Sequence, residues 1–209
     1  MYHSDLYEGS GKGRKSLFHS SGAVDLLAEL RAEPGLEQEM LQAPEFVTGL
    51  MWGVPRYGHP EGEVYKHVAE VLQNIDRLDI NALIRRQLRL VAFVHDTFKY
   101  LEDKSHPRDW SKHHAVYARR FLENYTDDPA ALTVTELHDE AYYAWCSKVL
   151  HRQTRKAKQR LEHLLSQLGP HRQLYYLFFK CDTLTGDKNP RPLEWFESEV
   201  SGIKLMELN

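Results

Sequence analysis

Long apolar runs are missing from this chain of 209 residues, and none approaches the 18 or so positions that a membrane-crossing helix needs. Its first residues are charged and polar where a secretion signal would place its apolar stretch. Cysteine is scarce. Cys146 and Cys181 lie in separate helix-like segments, so two free thiols in a reducing compartment are expected rather than a disulfide framework. A surplus of positive charge is lacking as well: 27 Lys and Arg against 30 Asp and Glu give a net charge of −3, with no global attraction to nucleic acid. These absences point to a cytoplasmic protein with no membrane partner. There is also no β-hairpin alternation and no internal repeat. Gly9-Ser-Gly-Lys-Gly-Arg-Lys-Ser16 fails as a phosphate loop, because Arg14 separates Gly13 from Lys15 and no apolar strand precedes it.

What is present is helical periodicity. Residues 1–20, rich in Gly, Ser, Lys and His, read as a loose arm, and residues 21–209 as one domain. Three short pieces come first: Ala23 to Leu30, Leu36 to Leu41, and one opened by Pro44 that ends near Gly53. The breaker-rich stretch from Val54 to Gly62 is a loop. Longer amphipathic helices are expected over Glu63 to Leu78, Asn81 to about Lys99, and Asp109 to Tyr125. Another should start at Thr133 or Thr135 and run through Val149. A basic stretch from His151 to Leu168 either continues it or stands alone. His171 to Thr183 and Leu193 to about Met206 complete an all-α bundle of about seven to nine helices.

Ionisable residues recur on the apolar faces of these helices. His67 follows Val64 by three and precedes Val71 by four; His95 is four after Val91, on the stripe of Leu88. His114 is four after Trp110 and three before Tyr117. His138 is four after Val134, and Asp182 four after Phe178. His95 brings Asp96 with it, and Asp139 follows His138 in the same way. One inward histidine is ordinarily a hydrogen-bonded core residue. An inward carboxylate must be paired or bound to metal, and four histidines with two aspartates are poorly explained as separate accidents. The set predicts one or two divalent metal ions, with Mn or Fe favoured and Mg, Co or Zn also compatible.

His67, then His95-Asp96, then Asp182 resembles the His…His-Asp…Asp signature of the HD superfamily of metal-dependent phosphohydrolases, over residues 58–187. Asp96-Thr-Phe-Lys99 is similar to the doublet and following lysine of many members, although Phe98 stands where a glycine is often found. Tyr57-Gly-His-Pro-Glu-Gly-Glu-Val-Tyr-Lys-His67 resembles the opening of the HD domain attached to bacterial tRNA nucleotidyltransferases. No nucleotidyltransferase domain fits in this chain, so only the hydrolase-like module is implied.

The resemblance implies a metal-dependent phosphohydrolase acting on a small nucleotide-like phosphomonoester or phosphodiester. Family members with two metals use two further histidines, and His114 and His138 fall where those would. His113 competes with His114 for the first position, since neighbours on a helix point about 100° apart. In the two-metal form His67, His95 and Asp182 hold one ion, His114 and His138 the other, and Asp96 bridges them. A one-metal site of His67, His95, Asp96 and Asp182 stays open. Lys99 is the candidate for stabilising phosphoryl charge. Arg56 and His59, before His67, and Lys188 and Arg191, after Asp182, are candidate substrate contacts. The basic run Lys148, Arg152, Arg155, Lys156, Lys158 and Arg160 reads as a solvated face rather than an anion site. A di-iron oxygenase of the HD type and a nucleic-acid-processing module are the alternative functions. The oligomeric state is left open, a homodimer included.

Overall fold

The computed structural model describes residues 24–55 and 60–209. Residues 1–20, expected as a loose arm, and Arg56 and His59, expected as substrate contacts, lie outside the described residues. The described residues form eleven α-helices and no strand; nine of the helices are seven residues or longer, as an all-α bundle of seven to nine helices requires. No helix among them is long and apolar enough to cross a membrane. Both cysteines are free.

Three short helices come first: α1 (Leu26–Glu29), α2 (Leu36–Met40) and α3 (Pro44–Leu50). They are held onto the bundle by a buried ion pair. Arg89 donates to both carboxylate oxygens of Glu37, from Nε and from a terminal nitrogen, each at 2.7 Å. A buried guanidinium needs such a two-pronged partner to offset its desolvation. The bundle proper follows with α4 (Val64–Asp76), α5 (Ala82–Val94), α6 (His114–Leu122), α7 (Pro129–Leu137), α8 (Glu140–Val149), α9 (Thr154–Leu168), α10 (Arg172–Thr183) and α11 (Arg191–Glu199). α10 is the central helix, packing against α4, α5, α7, α9 and α11. Its aromatic run Tyr175–Phe179 is buried throughout, which is why the segment is apolar on every side. Asn74 on α4 ties down the end of α10 by donating to the carbonyls of Cys181 and Leu184, each at 2.9 Å.

Four elements differ from the sequence expectation, each for a local reason. α5 stops at Val94, not Lys99, because side chains take over its last carbonyls: His95 Nδ1 lies 2.8 Å from Ala92 O, and Thr97 Oγ1 donates to Phe93 O at 2.8 Å. The expected helix over Asp109 to Tyr125 is two pieces. Asp109 caps a 3₁₀ turn (Trp110–Lys112), and His113 then caps α6, its Nδ1 accepting from Ala115 N. Trp110 is consequently exposed rather than on the core stripe. The helix predicted from Thr133 or Thr135 through Val149 starts earlier, at Pro129 behind the Asp128 cap, and breaks at His138-Asp139. The buried Tyr175 hydroxyl is inserted in that break, donating to His138 O at 3.1 Å and accepting from Ala141 N at 3.0 Å. The basic stretch forms its own helix, α9. Finally, α11 ends at Glu199, and the residues beyond it run without helix, with Arg77 donating to the carbonyl oxygen of Asn209 at 2.8 Å.

A candidate metal centre

Two helices end at the centre of the bundle in the same way. His95 is the C-cap of α5 and His138 the C-cap of α7, and each is followed by an aspartate. At a helix C-terminus the last carbonyls have no backbone donor. Each of these imidazoles fills one by pointing Nδ1 at the carbonyl three residues back, Ala92 O for His95 and Thr135 O for His138, both at 2.8 Å. A carbonyl only accepts, so Nδ1 carries the proton and Nε2 is directed away with its lone pair when the ring is neutral. The negative ends of two helix dipoles also face this spot, which favours a cation there.

Two histidines from other helices meet them. His67, on α4, places Nε2 3.2 Å from His95 Nε2. His114, the first residue of α6, places Nε2 3.2 Å from His138 Nε2. All four rings are buried, and Phe178 of α10 packs edge-on against His95 with centroids 5.2 Å apart. Two ring nitrogens that close cannot both present lone pairs; each pair has to share a proton or a cation.

The carboxylates complete the two pairs. Asp96 Oδ2 lies 3.6 Å from His95 Nε2 and 3.8 Å from His67 Nε2, while Asp96 Oδ1 lies 3.4 Å from His114 Nε2 and 3.6 Å from His138 Nε2. One carboxylate thus faces both pairs, one oxygen to each. Asp182 Oδ1 adds to the first pair at 2.9 Å from His67 Nε2 and 3.7 Å from His95 Nε2. Asp139 Oδ2 adds to the second, 3.4 Å from His114 Nε2 and 3.6 Å from His138 Nε2. Donors bound about 2.0–2.2 Å from one ion stand roughly 3–3.5 Å apart, so these spacings are those of ligand shells opened by a few tenths of an ångström. The donor sets His67, His95, Asp96 and Asp96, His114, His138 are each grouped closely enough to hold a metal ion.

Charge reinforces the arrangement. Burial pushes the His95 imidazole down to about 3, against the pull of Asp96 and Asp182, so it is neutral at ordinary pH. His138 goes the other way, to about 9: burial opposes its charge, but Asp139 and Asp96 beside it prevail. Burial likewise opposes ionisation of Asp96 and Asp182, yet both are held well below the usual carboxylate range. Lys99 and His95 act on Asp96, Lys188 and His67 on Asp182. Both lysines stand within the donor shells. Lys99 Nζ is in close contact with Asp96 Oδ2, and Lys188 Nζ lies 2.8 Å from Asp182 Oδ1 and 3.5 Å from His67 Nε2.

Capping separates the surroundings of His113 and His114. His113 spends Nδ1 on the N–H of Ala115, which leaves the proton on Nε2, and that nitrogen sits 2.9 Å from the Tyr143 hydroxyl. Tyr143 in turn donates toward Asp139 Oδ2 at 3.4 Å. His113 therefore supports Asp139, and His114 is the inward donor. The expected reason for preferring His114, a stripe shared with Trp110, does not hold, since Trp110 is on the preceding turn. Glu102, His113 and His114 also form a compact group. The capping role of His113 and the close contact of Arg108 with Glu102 give that group an internal proton donor and cation already.

A cavity of about 660 Å³ opens onto the cluster, reaching Asp96, His114, His138, Asp139 and Asp182. Lys99, Lys104, Arg108 and Lys188 bring positive charge to its wall, and Trp52, Tyr142, Tyr143 and Trp145 bring aromatic surface. Arg191 is exposed on the first turn of α11 and is not brought to the cavity. In the basic run, Lys148 pairs with Glu199 and Arg160 with Glu140, each at 2.6 Å, while Arg152, Arg155, Lys156 and Lys158 are exposed. The sequence reading noted Asp139 only as the second half of a doublet, without a ligand role, and did not single out Glu102 or Tyr143. For Asp139 a signal existed, because His138-Asp139 repeats the His95-Asp96 doublet. Comparison with protein-family models, curated proteins and solved structures finds no match.

Proposed function

We propose that the cluster is a two-metal hydrolytic centre for small phosphorylated compounds, as the resemblance to the HD phosphohydrolases implies. The observation that carries this reading is Asp96, whose two oxygens face two separate imidazole pairs. His67, His95, Asp182 and Asp96 hold one ion; His114, His138, Asp139 and Asp96 hold the other. Donor chemistry of imidazole with carboxylate suits Mn or Fe best, with Co, Zn or Mg as alternatives. Divalent ions so held supply Lewis acidity and water activated at neutral pH, which are the needs of phosphoester cleavage.

The chain's own residues do the rest. Four cations on the cavity wall attract and orient a phosphoryl group, and their charge opposes the negative charge that grows on its oxygens as the ester bond breaks. Lys99 and Lys188 are the nearest to the carboxylates. In the metal-free protein they neutralise Asp96 and Asp182; with metals in place those carboxylates have a stronger partner and the ammonium groups are available to the substrate. The aromatic wall of Tyr142 and Trp145, stacked with centroids 6.1 Å apart, suits a flat heterocycle beyond the phosphate. That combination favours a nucleotide over a bare sugar phosphate.

The test is anaerobic. Protein reconstituted with Mn²⁺ or Fe²⁺ is assayed against a panel of nucleoside monophosphates and phosphodiesters for release of phosphate or of a nucleoside monophosphate. Turnover that disappears in Asp182→Asn is expected. Absence of turnover across the panel, with O₂ consumed by the iron form in a parallel aerobic run, transfers the site to oxygenase chemistry.

A further inference from the structure

His95 and His138 are locked by carbonyls at the ends of their own helices, but His114 has no such partner. It is the first residue of α6, and a helix start exposes N–H groups rather than carbonyls. Its Nδ1 is buried and makes no hydrogen bond. The carboxylate oxygen facing it is Glu102 Oε2, at 3.5 Å, just beyond hydrogen-bonding length. The Glu102 side chain is only 4% exposed, although it belongs to a loop whose residues are mostly at the surface. A carboxylate buried in an otherwise exposed loop has to be paired. Its other oxygen meets His113 Nε2 at 3.4 Å and the Arg108 guanidinium.

We propose that Glu102 is a positioning residue of the second metal subsite, an inference that rests on the two-metal reading. Its carboxylate accepts the Nδ1 proton of His114, which fixes Nε2 as the lone-pair nitrogen aimed at His138 and Asp96. Withdrawal of electron density at Nε2 by an ion makes the Nδ1 proton a stronger donor, so the 3.5 Å contact shortens when the subsite is filled. Carboxylate, imidazole and metal in series are a recurrent way to hold a ligand's tautomer and raise its basicity. The first subsite has no counterpart in this loop. Through Arg108 the same carboxylate holds one of the cavity's cations at the wall, so Glu102 links that cation to the second subsite.

The experiment is Co²⁺ titration of the full-length protein, followed by visible absorption and by elemental analysis after gel filtration. Wild type, Glu102→Ala, Glu102→Gln and Arg108→Ala are compared, with the thermal midpoint of each metal-free protein as the fold control. Glu102→Ala should weaken the second equivalent by about 10–100-fold, leave the first unchanged and shift the cobalt spectrum. Glu102→Gln keeps an acceptor oxygen and should restore part of the affinity; Arg108→Ala should retain both equivalents. Two ions bound by Glu102→Ala as tightly as by wild type overturn the proposal alone, and so does equal weakening of both ions. A wild type that takes up no second ion overturns the two-metal reading and this proposal with it. Should Glu102→Ala not fold, Glu102→Gln decides: unchanged affinity and spectrum overturn the assignment.

Discussion

Replacing Asp96 by asparagine separates a bridging carboxylate from one that serves a single ion. Asn has nearly the same size but no charge, and it presents one oxygen where Asp96 presents two. In the structure those two oxygens approach four imidazole nitrogens at 3.4 to 3.8 Å, two in each pair. On the two-metal reading each ion would lose a charged donor, and the interaction of a charged partner with a hydrogen-bonding group is worth about 1.5–3 kcal/mol even without a metal. Taken as a lower bound, that corresponds to roughly 10–150-fold in each dissociation constant. The substitution also leaves the Lys99 ammonium, 18% exposed, without its carboxylate. Removing one partner of a buried pair costs about 3–5 kcal/mol, discounted here for the residual solvent contact of Lys99. The double substitution Asp96→Asn, Lys99→Met takes away the stranded charge and keeps the fold comparable. Isothermal titration with Mn²⁺, checked by elemental analysis, should show both equivalents weakened in the double variant. Asp182→Asn should weaken one and Asp139→Asn the other. A double variant that loses a single equivalent, with the second bound as in wild type, would falsify the bridging assignment.

His113→Ala should keep full metal stoichiometry while losing about 1 kcal/mol of stability with the α6 cap, whereas His114→Ala should lose one equivalent; urea denaturation and elemental analysis read the two effects separately. The pH dependence of the two subsites should differ. His138, raised to about 9, holds a proton in the metal-free protein at neutral pH, so filling its subsite releases about one proton, measurable by titration in buffers of different ionisation enthalpy, and affinity falls as pH drops below 9. His95, lowered to about 3, imposes no such proton release above pH 4. The sign for stability follows from the same shift: the folded value of His138 exceeds the ordinary 6.5, so its contribution to the metal-free fold is complete below 6.5 and is lost as pH rises through 9, which a series of thermal midpoints from pH 6 to 10 reads directly. Gly49→Ala should destabilise by at least about 1–3 kcal/mol and lower metal affinity, because a Cβ there would lie 1.9 Å from the carbonyl oxygen of Thr97, directly after Asp96; a wild-type thermal midpoint would remove α3 from the elements that shape the site.

Much of this protein is legible in its sequence, because the relevant information is local. The period of 3.6 residues marked α4, α5 and α10, and the same period assigned His67, His95 and Asp182 to inward faces. Proline and glycine marked the non-helical residues Val54-Pro55 and Pro60 to Gly62, on either side of residues 56–59 outside the described part. Other features depend on which parts of the chain meet. The break at His138-Asp139 contains no proline or glycine; it is stabilised by Tyr175, more than thirty residues away, and it is what turns Asp139 toward the second pair of histidines. His113 and His114 differ by one position, and only the way α6 starts makes the first a cap and the second a donor. Glu102 sits in a loop without periodicity, so nothing local distinguishes it from its acidic neighbour Asp103 until His114 and Arg108 surround it. Local repetition specified which faces turn inward. The crossing of α4, α5, α6, α7 and α10 decided which ring nitrogens come within 3.2 Å of each other, since helix packing sets distances that a one-dimensional pattern does not contain.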